Sequence, residues 1–177
     1  MYKLAKRMAA LVLAGAMMVS AATSAFAGSP TSGNKTADPV IKTAADSKGD
    51  VKITSATSSK NTLFVAGLQK GKHVRTINSG AIGSKKYTSI TLELFERTSV
   101  KKNVINKKAK ATKKVIITKH KNAKKLKAKK FNKAAFKNLG KKCTIIVKKS
   151  AMTKKEFNKL KKKLKKGGFK GKIKYKK

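Results

Sequence analysis

Short runs of β-branched and aromatic residues recur along the chain from residue 62 onward. The first residues of successive runs are 28, 25, 29 and 28 positions apart. A short strand that returns at a nearly constant interval is typical of a solenoid, in which each repeat buries its apolar face against its neighbours. The pattern therefore predicts strands at residues 62–65, 90–93, 115–118, 144–147 and 172–175.

A helix and a closing strand are predicted within residues 151–177. Thr153 and Glu156 have the spacing of a capping box, in which a hydroxyl and a carboxylate each accept a hydrogen bond from a free backbone N–H at the helix start. Large apolar residues follow on one face of the helix: Phe157, Leu160 and Leu164. Two glycines then end the helix, and isoleucine and tyrosine alternate with lysine in the last strand. We therefore predict a β-α-β unit that caps the solenoid.

The segment at residues 126–149, LKAKKFNKAAFKNLGKKCTIIVKK, carries apolar residues in a fixed order between its lysines. The ordered positions are Leu126, Ala135, Phe136, Leu139, Lys141, Lys142, Thr144, Ile145 and Val147. This order resembles the last repeat of leucine-rich-repeat surface proteins of the BspA type, which a lysine-rich helix and a closing strand follow. The resemblance extends over residues 74–177 and is closest over 121–177. It implies an α/β fold, with a short leucine-rich-repeat-like solenoid over residues 51–150 and its cap over 151–177.

The first 27 residues have the pattern of a secretory signal peptide. A positive stretch precedes an apolar stretch at residues 8–19, and Ala25-Phe26-Ala27 supplies the small residues that signal peptidase recognises. The apolar stretch is shorter than the roughly 20 residues that a membrane-spanning helix needs. We therefore expect cleavage after Ala27 and a protein that is secreted or held at the cell surface, without a membrane span.

A flexible linker is expected between the signal peptide and the repeats. Residues 28–50 are rich in Ser, Thr, Gly, Ala, Asp and Pro and show no sustained periodicity. Such a composition buries too little apolar surface to offset the conformational entropy that folding costs.

Lysine dominates the charge of the chain. The sequence holds 47 basic and 6 acidic residues, for a net charge of +41, and only three of the basic residues are arginine. Lysine is a hydrated point charge, whereas arginine presents a planar fork that fits phosphate in a defined geometry. A lysine surface is therefore expected to attract anionic polymers without recognising their sequence. The residues expected to bind polyanions lie on the predicted helix: Lys161, Lys162, Lys163, Lys165 and Lys166.

Two functions fit this surface. The first is a non-catalytic interaction or adhesion module at the cell surface or in the medium. Its partners would be anionic polymers, such as teichoic acid, glycosaminoglycan, mucin or extracellular DNA, or host and cell-surface proteins. The alternative is an exported polycation, either histone-like and bound to nucleic acid non-specifically or antimicrobial and membrane-active. Membrane insertion is disfavoured because the apolar stripe of the helix has only three large residues and no tryptophan.

No enzymatic activity, cofactor or metal is predicted. The chain lacks the common metal-ligand, nucleophile and phosphate-loop motifs. His73 and His120 lie among lysines, where solvated loop histidines are expected. The single Cys143 cannot form an internal disulfide, and we expect it to be a small apolar residue at the start of a strand, with an intermolecular disulfide as the alternative.

Overall fold

A computed structural model describes residues 38–45 and 49–177. Its fold is mixed α/β, with mostly strands and one α-helix. The strands are β1 Val40–Ala45, β2 Val51–Thr57, β3 Thr62–Val65, β4 Leu68–Gln69, β5 Lys72–Ile77, β6 Ser89–Leu94, β7 Ser99–Val100, β8 Lys114–Lys119, β9 Thr144–Lys148 and β10 Lys172–Lys176. The helix α1 is Lys154–Lys166, and 3-10 turns lie at Lys107–Ala109 and Ala128–Lys130. The predicted signal peptide, with its cleavage after Ala27, lies outside the described residues.

All five predicted strands are confirmed, and they form one parallel sheet in the order β10-β9-β8-β6-β3. One row across the sheet is Thr62, Ser89, Lys114, Thr144 and Lys172. The next row is buried, and its members are Leu63, Ile90, Val115, Ile145 and Ile173. Because successive residues of a strand point to opposite faces, the rows alternate between the core and the outward face. Each fully buried aliphatic side chain contributes roughly 1.5–3 kcal/mol to folding.

Two further lines of parallel pairing run beside this sheet. One line joins Ile53, Ile77, Val100 and Phe131. The other joins Ala56, Ile82 and Ile105. All seven residues are buried and belong to the same apolar cluster as the inner rows of the parallel sheet. Successive stretches of the chain therefore contribute in turn to these two lines and to the parallel sheet, and they share one apolar core.

The flexible linker predicted over residues 28–50 is wrong for residues 40–45. These residues form β1, which pairs antiparallel with β2, with Val40 opposite Thr57 and Ala45 opposite Val51. Ile41 packs against the edge of the core. The composition of the whole segment hid a six-residue strand, because its stability comes from hydrogen bonds to β2 that no local pattern reports. Residues 28–37 and 46–48 of the predicted linker lie outside the described residues, whereas residues 38 and 39 precede β1 and residues 49 and 50 lead into β2.

The predicted capping box of α1 is half right. The Thr153 hydroxyl accepts a hydrogen bond from the Glu156 backbone N–H at 3.3 Å, as expected. The Glu156 carboxylate does not return to the Thr153 backbone but accepts from the Ala128 backbone N–H at 2.7 Å. It also lies 3.3 Å from the Lys159 ammonium. Glu156 thus joins α1 to the 3-10 turn at Ala128–Lys130. No helix in the described ranges is both long and apolar enough to cross a membrane.

The two glycines at the end of α1 have different roles. Gly168 has φ +94°, the left-handed region that favours glycine, whereas Gly167 has φ −81°. A Cβ on Gly167 would lie 1.7 Å from the Lys133 carbonyl oxygen, so only glycine allows the helix end to approach that loop. The chain then enters β10, which pairs parallel with β9 and completes the predicted β-α-β unit.

Candidate polyanion-binding surface

The outer face of α1 presents four of the five lysines predicted to bind polyanions. Phe157, Leu160 and Leu164 are buried and fix the rotation of the helix, because they recur at intervals close to the helical period. Four of the predicted lysines have exposed side chains: Lys161, Lys162, Lys165 and Lys166. Three of these, Lys161, Lys162 and Lys166, make no hydrogen bond, ion pair or ring contact with any described residue. They are therefore open to an external anion, as is the exposed Lys155 at the start of α1.

Two of the predicted lysines have partners within the protein. Lys163 is half-buried beside Leu164, and its ammonium donates to the Ala128 carbonyl oxygen at 3.4 Å. The Lys165 ammonium donates to the Gly171 carbonyl oxygen at 2.6 Å and lies 5.7 Å from the centre of the Phe169 ring. Both side chains hold α1 against neighbouring segments. The ammonium groups of Lys163 and Lys165 are therefore less available to a polymer than those of the other predicted lysines.

The outward face of β10 adds lysines that sequence reasoning did not include in the site. Lys172, Lys174 and Lys176 are exposed, and Ile173 between them is buried. The alternation was visible in the sequence, but it indicated only a half-buried edge strand. Residues two apart on a strand lie about 6.5–7 Å from each other. The three lysines therefore lie in a row along the outward face of β10.

The carboxylates of the described residues are all held within the protein. Asp38 accepts from the Ser58 hydroxyl at 2.9 Å, and Asp50 pairs with Arg75. Glu93 accepts from the Gly67 backbone N–H at 3.3 Å, and Glu96 accepts from that of Lys124 at 3.1 Å. The fifth carboxylate is that of Glu156. Since so few carboxylates occur, most lysines of the C-terminal half have no acidic partner in the described part of the chain.

The hydrogen bond from the Ala128 backbone N–H lowers the pKa of Glu156 below its ordinary value. The ammonium of Lys159 adds to this effect. A carboxylate stabilised in this way remains charged at neutral and mildly acidic pH. The negative charge of Glu156 therefore strengthens the hydrogen bond that attaches α1 to Ala128.

The histidines and the cysteine are placed differently from simple loop residues. His73 lies in β5, and both His73 and His120 stack on the Phe95 ring, with centroid distances of 4.2 and 4.7 Å. The expectation of solvated loop histidines is right in part: His73 is exposed but lies in a strand, and His120 lies in a loop and is half-buried. The stacking on Phe95 arises because the pairing of strands brings three rings from separate segments together. Cys143 is buried directly before β9, and burial raises the pKa of its thiol to about 11.

Within the described ranges, no group of three or more His, Cys, Asp or Glu side chains is placed to hold a metal ion. Comparisons of the chain with protein-family models, with curated proteins and with solved structures find no match. The resemblance to BspA-type proteins therefore rests on the motif at residues 126–149 and stays a prediction.

Proposed function

We propose that the protein is a short leucine-rich-repeat-like solenoid, capped by β9, α1 and β10, that acts outside the cell as a non-catalytic interaction or adhesion module. It binds anionic polymers through lysine charge. The three lines of parallel pairing support the solenoid, and the pattern of residues 1–27 supports export. The parallel sheet, α1 and the two further lines of parallel pairing share one apolar core.

One observation carries the binding proposal: a lysine surface lies on a scaffold in which the side-chain carboxylates of the described residues already accept hydrogen bonds or pair with cations of the protein. Lys161, Lys162 and Lys166 project from a helix whose other face is packed into the core. Attraction to a polyanion in this arrangement comes mainly from the release of counterions, so it is strong at low salt and weak in sequence preference. An adhesion module of this kind binds many anionic polymers with similar affinity.

A salt titration tests the binding proposal. Replacing Lys161, Lys162 and Lys166 with glutamine removes three charges from α1. The slope of log K against log salt for duplex DNA should fall by about 0.9 for each phosphate that the variant no longer neutralises. The matched control replaces Lys42, Lys60 and Lys72, which are exposed near the N-terminal end of the described chain. Equal reductions in both variants, or binding that is unchanged in high salt, would refute the α1 surface.

The alternative of a dedicated exported polycation is separated by a thermal melt. Circular dichroism at physiological salt, without any polyanion, should show a cooperative transition if the apolar core alone is sufficient for folding. A chain that is mostly coil until nucleic acid or anionic lipid is added would favour the polycation. N-terminal sequencing of exported protein should find Gly28 first, and recovery of Met1 would contradict export by the predicted route.

A further inference from the structure

An open cavity of about 640 Å³ lies at the edge where strands of the parallel sheet begin. Three loops line it: the loop before β6 at Lys86, the loop before β8 at residues 110–113, and the loop before β9 at residues 138–143. Neighbouring parallel strands start at the same edge of a sheet, so these loops lie beside one another. Backbone hydrogen bonds join them, from Gly140 N–H to the Lys110 carbonyl oxygen at 3.1 Å and from Thr144 N–H to that of Lys113 at 2.9 Å.

Five lysines surround this cavity, and the wall between their ammonium groups is mostly apolar. Its charged residues are Lys86, Lys110, Lys113, Lys141 and Lys142. All five side chains are exposed, and the lining includes no carboxylate. None of the five ammonium groups has a hydrogen bond, ion pair or ring contact in the part of the chain that the structure describes. Lys119 is different, because its ammonium donates to the carbonyl oxygens of His120, Lys121 and Ala123 at 2.8–3.2 Å.

Thr112 is a wall residue of the cavity, but its hydroxyl oxygen is shielded from solvent. Thr112 is 2% exposed, and its Oγ1 makes no hydrogen bond to any described residue. Cys143 lies on the same wall and contributes no negative charge at neutral pH, because the pKa of its buried thiol is raised to about 11. The site therefore combines five positive charges with no competing anion.

We propose that this cavity binds a compact, multiply charged oxyanion, of the class of tripolyphosphate or a phosphate group carried on a sugar. A concave site lets several lysines converge on one small anion, whereas an extended polymer on α1 meets its lysines one phosphate at a time. Lysine provides point charges and no planar fork, so charge density is recognised more than shape. The proposal is independent of the α1 surface.

Isothermal titration calorimetry with tripolyphosphate, at an ionic strength of about 0.15 M, tests the site. Replacing Lys113, Lys141 and Lys142 with glutamine should weaken binding at least about tenfold, because charge-assisted hydrogen bonds are the strong class. The matched control carries glutamine at Lys161, Lys162 and Lys166 and should remain within about twofold of the unmodified chain. Both variants lose three charges, so a general effect of net charge weakens them equally and overturns the proposal.

Two further measurements locate the anion and its source. Amide chemical-shift changes on adding tripolyphosphate should be confined to Lys86, residues 110–113 and residues 138–143, and changes centred on α1 would overturn the proposal. Glucose 6-phosphate compared with tripolyphosphate separates a sugar-borne phosphate from a free oligophosphate. Retained duplex-DNA binding in the cavity variant shows that the two surfaces act separately.

Discussion

Phe136 offers a direct test of whether residues 126–149 fold as a packed unit beneath their lysines. Its side chain is completely buried, and its backbone carbonyl accepts from the Leu139 N–H at 3.1 Å. The Val104 N–H donates to the carbonyl oxygen of the preceding Ala135 at 2.9 Å, so this loop is tied to the one before it. Phe136→Ala removes a large ring from a site that hydrogen bonds on both sides prevent from collapsing.

The expected cost is about 3–5 kcal/mol, since the lost transfer energy of the ring and the remaining cavity both add to it. The melting temperature should fall by roughly 6–20 °C, at 2–4 °C per kcal/mol for a chain of this size. With a urea m-value of about 2 kcal/mol/M, the midpoint should fall by about 1.5–2.5 M. That loss is a large fraction of the 5–15 kcal/mol by which domains are usually stable.

The control is Lys137→Ala, one residue along the chain. Lys137 is exposed, so its replacement should change the free energy of unfolding by no more than about 0.5 kcal/mol. Both variants are measured by urea denaturation followed by circular dichroism. Small and equal effects from the two substitutions would show that Phe136 is not in a packed core and would refute the fold of this segment.

Other substitutions test single contacts of the cap. Gly167→Ala should destabilise the fold by several kcal/mol in urea denaturation, because its Cβ would lie 1.7 Å from a backbone oxygen, and an undisturbed melt would contradict this close approach. Glu156→Gln should weaken the attachment of α1 by about 1–2 kcal/mol, since a charge-assisted hydrogen bond to Ala128 becomes a neutral one. The lowered pKa of Glu156 means that its stabilisation is present above the unfolded-state value near 4.5 and is lost as pH falls through the folded-state value. The melting temperature should therefore fall less steeply towards acid pH in Glu156→Gln than in the unmodified protein. The same dependence of the melting temperature on pH in both proteins would argue against this linkage. Cys143 should react with iodoacetamide slowly in the native protein at pH 8 and rapidly in urea, whereas rapid native labelling would show an exposed thiol.

The strands of the parallel sheet could be predicted because each carries its own signal. Ile90 and Val115 belong to short runs with alternating burial, and the interval between runs indicates that the strands are neighbours. The strands β2, β5 and β7, which pair beside the parallel sheet, were not predicted. Ile53 and Ile77 lie in segments that mix polar and apolar residues, and Val100 belongs to a strand of only two residues. These segments become strands because neighbouring segments supply their hydrogen bonds.

The site was predictable only in part for the same reason. The apolar stripe of α1 fixes which side of the helix faces solvent, so Lys161, Lys162 and Lys166 could be identified from sequence. The inward bond of Lys163 depends on the position of Ala128, which the sequence does not report. The cavity lysines are spread from Lys86 to Lys142 and meet only because their strands begin side by side.

The order of the parallel sheet has a mechanical consequence. β3 and β10 lie at opposite edges, and every strand between them pairs with the predicted strands before and after it along the chain. A molecule pulled between residue 49 and Lys177 would be peeled from its edges one strand at a time. Each peeled segment of about 28 residues would lengthen the chain by roughly 90–100 Å. A single-molecule force trace should therefore show a short series of similar steps, and the first step from the C-terminal edge should release β10 together with α1.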